Sequence, residues 1–248
     1  MTIHVDWRVE ENQGSCLAGI DQAINIVHEA AIMNAFEPWF SRILIGLLQT
    51  AQYACRNLQS GWKESDVPLL AWASRNSLEV VIWTKFVTSR QQNAWRFSVD
   101  WLNDANDLLR LGKELDNSVG SGTAPSQAYR DVPLDPSAVA EAERFISEMR
   151  RQLASPQERR LDLAKVAKEV GEDVQFAKLN PLLSKFIHST AYSVLSFPSD
   201  TARNGQALLM LDSGFWNLTK TIGILDAFLK ARKLPSIIES AEEKRSEE

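Results

Sequence analysis

The sequence is poor in the residues that build disulfide frameworks, metal sites and tight turns. It has two cysteines, Cys16 and Cys55, in 248 residues. They stand in no CxxC spacing, and no disulfide framework can be built from them. The spacing leaves open whether they pair with each other. With three histidines and no cysteine cluster, a zinc site has no ligand set. No metal and no cofactor are expected. Eleven glycines and nine prolines are few for this length, which speaks against a turn-rich β fold. No run of about 18 apolar residues occurs, ILIGLL at 43–48 being far too short, so no membrane span is expected. The N-terminal MTIHVDWRVEENQGSC lacks a basic stretch followed by an apolar one. No signal peptide is read there, and a cytoplasmic location is expected. Positive charge is short as well: 27 Lys and Arg stand against 32 Asp and Glu, a net charge of −5. That argues against non-specific binding to nucleic acid. The basic cluster Arg150, Arg151, Arg159, Arg160, Lys165 and Lys168 reads as a solvated helix face. There is no Walker loop (VGSGTAP lacks the GK[ST] ending), no GxSxG elbow and no HExxH.

What is present is a globular composition with 44% hydrophobic and 24% charged residues, enough for a real core. Apolar residues recur at helical spacing over 17–35, through Ile20, Ile24, Val27 and Ala31. Pro38 interrupts that run. A second helix follows and is expected to end at Ser60-Gly61. Asp66-Val67-Pro68 is an acidic cap before an early proline and opens a third helix, to about Thr88. A fourth spans 94–115. Residues 116–134 are rich in Gly, Ser and Pro and read as a flexible loop. Asp135-Pro136 opens a helix to about Leu153. Ser155 to Glu158 is a capping box that starts a helix ending near Gly171. Pro181 is expected to begin the next helix, and 201–231 forms the last. The charged tail over 236–248 reads as disordered. The expectation is an all-α, antiparallel multi-helix bundle, a single helical domain over 1–248. The eight tryptophans are read mainly as packing residues, with Trp95 and Trp101 as candidates for an exposed interface.

Two charges sit where the helical pattern is apolar. Arg75 and Glu79 are one turn apart, on the face that carries Trp72, Ile82 and Phe86. Arginine before glutamate is the weaker order for a local pair, and the apolar neighbours suggest burial, which costs several kcal/mol unless every group is bonded. The pair is therefore expected to meet another helix. The helix with Ser184 and His188, again one turn apart, is the chosen partner. His188 is the natural proton-transfer candidate, with Glu79 to orient its ring. The cluster is either a polar network that fixes helix register or a site. As a site, Arg75, Glu79 and His188 would be catalytic and Ser184 ligand-binding. The stretch LDLAKVAKEVGEDVQFAKLN at 161–180 has the outline of a helix-turn-helix with Gly171 at the turn. Its second helix begins with two acids, so DNA is not an expected partner.

The segments RNSLEVVIWTKF, AWRFSVDWLNDANDLL, LDLAKVAKEVG and LSKFIHST resemble a bacterial all-helical family catalogued as domain of unknown function fifty-six seventy-seven. The resemblance covers roughly 20–230 and rests on Arg75, Glu79, Ser184 and His188. It implies a helical fold and no particular activity. A looser similarity is to HEPN (higher eukaryotes and prokaryotes nucleotide-binding) domains. It implies a helical, often dimeric protein and a metal-independent ribonuclease of toxin or phage-defence systems. The HEPN motif places a histidine four to six residues after an arginine within one helix. Here Arg203-Asn204 is followed by Leu208 and Leu209, and His188 by its own helix lacks the arginine. The chemistry would need Arg75 and His188 to meet through the fold. The expected roles are a regulatory or interaction module with a protein partner or a homodimer, or alternatively a HEPN-like ribonuclease acting on RNA. A transcription regulator ranks behind both.

Overall fold

A computed structural model describes residues 5–120, 140, 143, 144, 147, 148, 151, 160–187 and 200–238; for 109, 112, 113, 115–120 and 200–203 it describes the backbone alone. Seven helices are described: α1 Glu10–Ile32, α2 Pro38–Lys63, α3 Val67–Ser89, α4 Gln91–Gly120, α5 Leu163–Glu169, α6 Asp173–Ile187 and α7 Asp200–Ala231. No strand occurs among the described residues, and the chain is an all-α helical bundle. None of the described helices is long and apolar enough to cross a membrane. The chain divides into two compact units, one of Met1–Arg90 with Asp162–Glu248 and one of Gln91–Leu161.

In the first unit α3 is central, packing against α2, α5, α6 and α7, while α1 packs against α2 and α7. Its role follows from its sequence: apolar and small residues surround α3, and thirteen of its residues are buried. The short links make α1 antiparallel to α2, and α2 to α3. The last helix returns alongside α1 in the same direction. Trp7 stacks on Phe215 at 4.9 Å, Gly19 faces Ile222, and Phe36 stacks on Phe228 at 5.9 Å. The core between them holds Ile20, Leu44, Leu48, Leu58, Phe86 and Met210, all below 2% exposed.

Several expected boundaries move, each for a local reason. Helix α1 starts at Glu10, ahead of residue 17, with Glu10 and Glu11 in its first turn, where carboxylates favour the helix dipole. Gly61 does not end α2 but lies inside it: the Ser60 carbonyl still accepts the Glu64 N–H at 2.9 Å, and Leu70 packs so closely on Gly61 that a Cβ there would meet its Cγ at 3.0 Å. The turn comes at Ser65, with φ 55°. Asp66 caps α3 as expected, accepting the Leu69 N–H at 3.0 Å. Residues 160–162 are not helical, so α5 starts at Leu163 rather than at a capping box. Its cap is Asp162, whose carboxylate accepts the Ala164 N–H at 2.9 Å. Ser155 to Glu158 lie outside the described residues. Gly171 closes α5 as expected, with φ 71°. Pro181 does not open α6 but lies within it. That helix is already under way from Asp173, the Glu172 carbonyl accepting the Phe176 N–H at 2.9 Å, so the proline removes a single interior bond. Near the far end, Asp226 accepts from Ser236 Oγ at 2.9 Å and the Ile237 N–H at 2.7 Å, which fixes the segment after α7.

In the second unit α4 runs to Gly120, past the expected start of the loop at 116. Residues 121–139 of that loop, and 239–248 of the tail, lie outside the described residues. The few described residues of the expected 135–153 helix are helical. Asp100, Asp104 and Asp107 share one face of α4 and hold the chain at 160–161. Arg160 pairs with Asp107 and lies 3.9 Å from Asp104, and the Leu161 N–H donates to Asp100 at 2.8 Å.

Candidate functional site at the α3–α6 junction

Arg75 meets the helix chosen for the pair, and Glu79 is tied to it through Arg75. Arg75 Nε donates to Glu79 Oε1 at 3.1 Å, and Arg75 Nη1 donates to Ser184 Oγ at 3.4 Å. Ser184 Oγ in turn donates to the Asn180 carbonyl at 2.7 Å. One arginine thus links a carboxylate on α3 to a hydroxyl on α6. Leu183, next to Ser184, is 1% exposed and anchors α6. Asn180 Oδ1, closed to solvent, has no hydrogen-bond partner. His188 lies outside the described residues, so Glu79 and the imidazole are not described together.

The pair is less buried than its apolar neighbours suggested. The Arg75 and Glu79 side chains are 31% and 30% exposed, whereas Ile82 and Phe86 are fully buried. The reason is angular: 75 and 79 lie at the edge of the stripe whose centre Ser74, Leu78, Ile82 and Phe86 occupy. Trp72, one turn before Arg75, packs edge-on against Tyr53 of α2 at 5.6 Å, and Tyr53 is 59% exposed. An arginine, a tryptophan and a tyrosine therefore share an open edge. The other tryptophans are not a uniform core set: Trp7 is buried, while Trp101 and Trp216 are exposed.

A second polar cluster went unread in the sequence. Glu172, between α5 and α6, is 3% exposed and receives Lys85 Nζ of α3 at 2.7 Å and Lys220 Nζ of α7 at 2.6 Å. Burial works to raise its carboxyl, but the hydrogen bonds from Lys220 and Lys85 outweigh this and hold it below the usual carboxylate range. Beside it Gln175 Nε2 donates to Asn217 Oδ1 at 2.8 Å. The available signal was a lysine in each of two otherwise apolar stretches, VIWTKFV and NLTKTIGIL. Lysines there call for a carboxylate from elsewhere. Along 150–168, Arg151 and Lys165 pair with Glu148 and Asp162, and Arg160 with Asp107, as a solvated surface would. Among the described residues no group of His, Cys, Asp and Glu is placed to hold a metal ion.

Comparison with known protein families, with curated proteins and with solved structures gives no match.

Proposed function

We propose that this chain is a helical regulatory or interaction module that engages a protein partner, or a second copy of itself, through the α3–α6 junction. The supporting observation is Arg75: held by Glu79 and Ser184, it keeps a third of its side chain in solvent beside the Trp72–Tyr53 pair. Arg, Trp and Tyr are the side chains that most often anchor protein interfaces. The guanidinium offers donors that suit a carboxylate or carbonyl of a partner. On this reading the resemblance to the bacterial helical family is one of fold, and the location is cytoplasmic.

A HEPN-like ribonuclease is the second reading, favoured by the Arg75–Ser184 contact, since Ser184 stands four residues before His188 in the sequence. There His188 would move protons, Arg75 would stabilise charge on the phosphorane, and Glu79 would orient one of them.

Two measurements separate the readings. Sedimentation of the purified chain over a concentration series tests self-association, which Arg75→Ala should weaken. Incubation with mixed RNA without metal, wild type against His188→Ala, should show no cleavage by either protein. Cleavage that disappears in His188→Ala, with helicity intact by circular dichroism, would replace the interaction reading with the nuclease.

A further inference from the structure

The chain's two thiols come together. Cys16 on α1 and Cys55 on α2 are both buried and free, at 6% and 0% exposure. The antiparallel register of α1 and α2 is fixed independently, because Gln52 Nε2 donates to Asp21 Oδ1 at 2.6 Å across the helix pair. From that contact, one to one and a half turns back along α1 leads to Cys16 and one turn forward along α2 leads to Cys55. Both side chains face the interior at this level of the helix pair, and Cys16 is the neighbour that acts most strongly on the Cys55 thiol. We propose that Cys16 and Cys55 are a redox-active dithiol that closes to an intramolecular disulfide joining α1 to α2.

The surroundings set the conditions for closure. The contact with Cys16, then burial, push the Cys55 thiol well above the usual cysteine range. At neutral pH Cys55 is held as the thiol, and only the thiolate reacts. Closure therefore needs an oxidant small enough to enter as the helices open, and a peroxide is of that class. One thiolate attacks a peroxide oxygen, the O–O bond breaks, and a sulfenic acid and one water form. The second thiol then attacks the sulfenic sulfur, its proton leaves with the hydroxide as a second water, and the S–S bond forms. Two thiols are oxidised, and one hydrogen peroxide is reduced to two waters. No third cysteine exists to compete.

The test is intact mass spectrometry of the full chain after hydrogen peroxide at neutral pH, followed by denaturation and alkylation with iodoacetamide. The expected product is lighter by two hydrogens, takes up no alkyl group and regains both sites after dithiothreitol. Its peptide map links Cys16 to Cys55, and its Tm rises by roughly 5–10 °C, as closure of a loop this long implies. Cys16→Ser should give no loss of hydrogen under the same treatment. Two alkylated cysteines after a peroxide dose that oxidises the urea-unfolded chain would overturn the proposal. So would a disulfide-linked dimer in place of the internal bridge, or a bridged chain that unfolds at a lower temperature.

Discussion

Replacing Lys85 and Lys220 together by methionine strands the buried Glu172 carboxylate, and the cost of doing so can be set against the cost of each single change. At 2.7 Å and 2.6 Å each lysine attracts Glu172 with a gross energy of about 6 kcal/mol at an effective dielectric of 20. The lysine side chains are 37% and 31% exposed, so most of this is offset by solvent screening and hydration. Each single substitution leaves Glu172 with one counter-charge and should cost roughly 1 kcal/mol. The double substitution leaves none, and an unpaired charge at 3% exposure should cost about 3–5 kcal/mol, more than the sum of the singles. Adding Glu172→Leu removes the stranded charge and should recover most of that loss. Urea unfolding of the five proteins at pH 7 measures the set. The pH dependence adds a test of sign. In wild type the folded carboxyl titrates below its usual range, so Glu172 stabilises above about pH 4 and loses its contribution as pH falls through the folded value. In the double variant burial alone acts and raises the folded value, so stability should increase as pH falls from 7 toward 5. Additive losses of about 2 kcal/mol in total, with an unchanged acid profile, would refute the reasoning.

Arg75→Ala should cost only about 0.5–1 kcal/mol, because the pair is a third exposed and its order is the weaker one; a loss above about 3 kcal/mol in urea melts would contradict this. Asp226→Ala should cost about 2–3 kcal/mol, since it strands the Ser236 hydroxyl and the Ile237 N–H, and amide exchange at Ile237 should speed up. The Asp226 carboxyl, raised by burial but lowered further by those donors, lies below its usual range, so this stability should hold above about pH 4 and fade in more acid solution. Gly214→Ala should cost about 1–3 kcal/mol by thermal unfolding, because its Cβ would meet the buried Leu58 methyls at 2.7 Å. An unchanged Tm would show that Leu58 has room to move.

The helical class could be read from the sequence because it rests on short-range information. Apolar residues three and four apart, Asp66 before Val67-Pro68 and Gly171 after α5 act within one or two turns, and the structure places helices or their ends there. The link between the Arg75 and Ser184 helices was also within reach, since a charged pair on an apolar stripe demands a facing helix. Where neighbouring packing overrides local propensity, the sequence misled. Gly61 looks like a helix stop until Leu70 is seen against it, and Pro181 looks like a helix start until α6 is seen to begin eight residues earlier. The half-exposed setting of Arg75 depends on where the edge of α3 falls between α2 and α6. The clasp of Lys85 and Lys220 on Glu172, and the meeting of Cys16 with Cys55, depend on which helices become neighbours. A residue's helical periodicity records its place around its own axis. It carries no record of the long-range burial of apolar surface that brings α3, α6 and α7 together, and that burial decides which charges come within bonding distance and which thiols become neighbours.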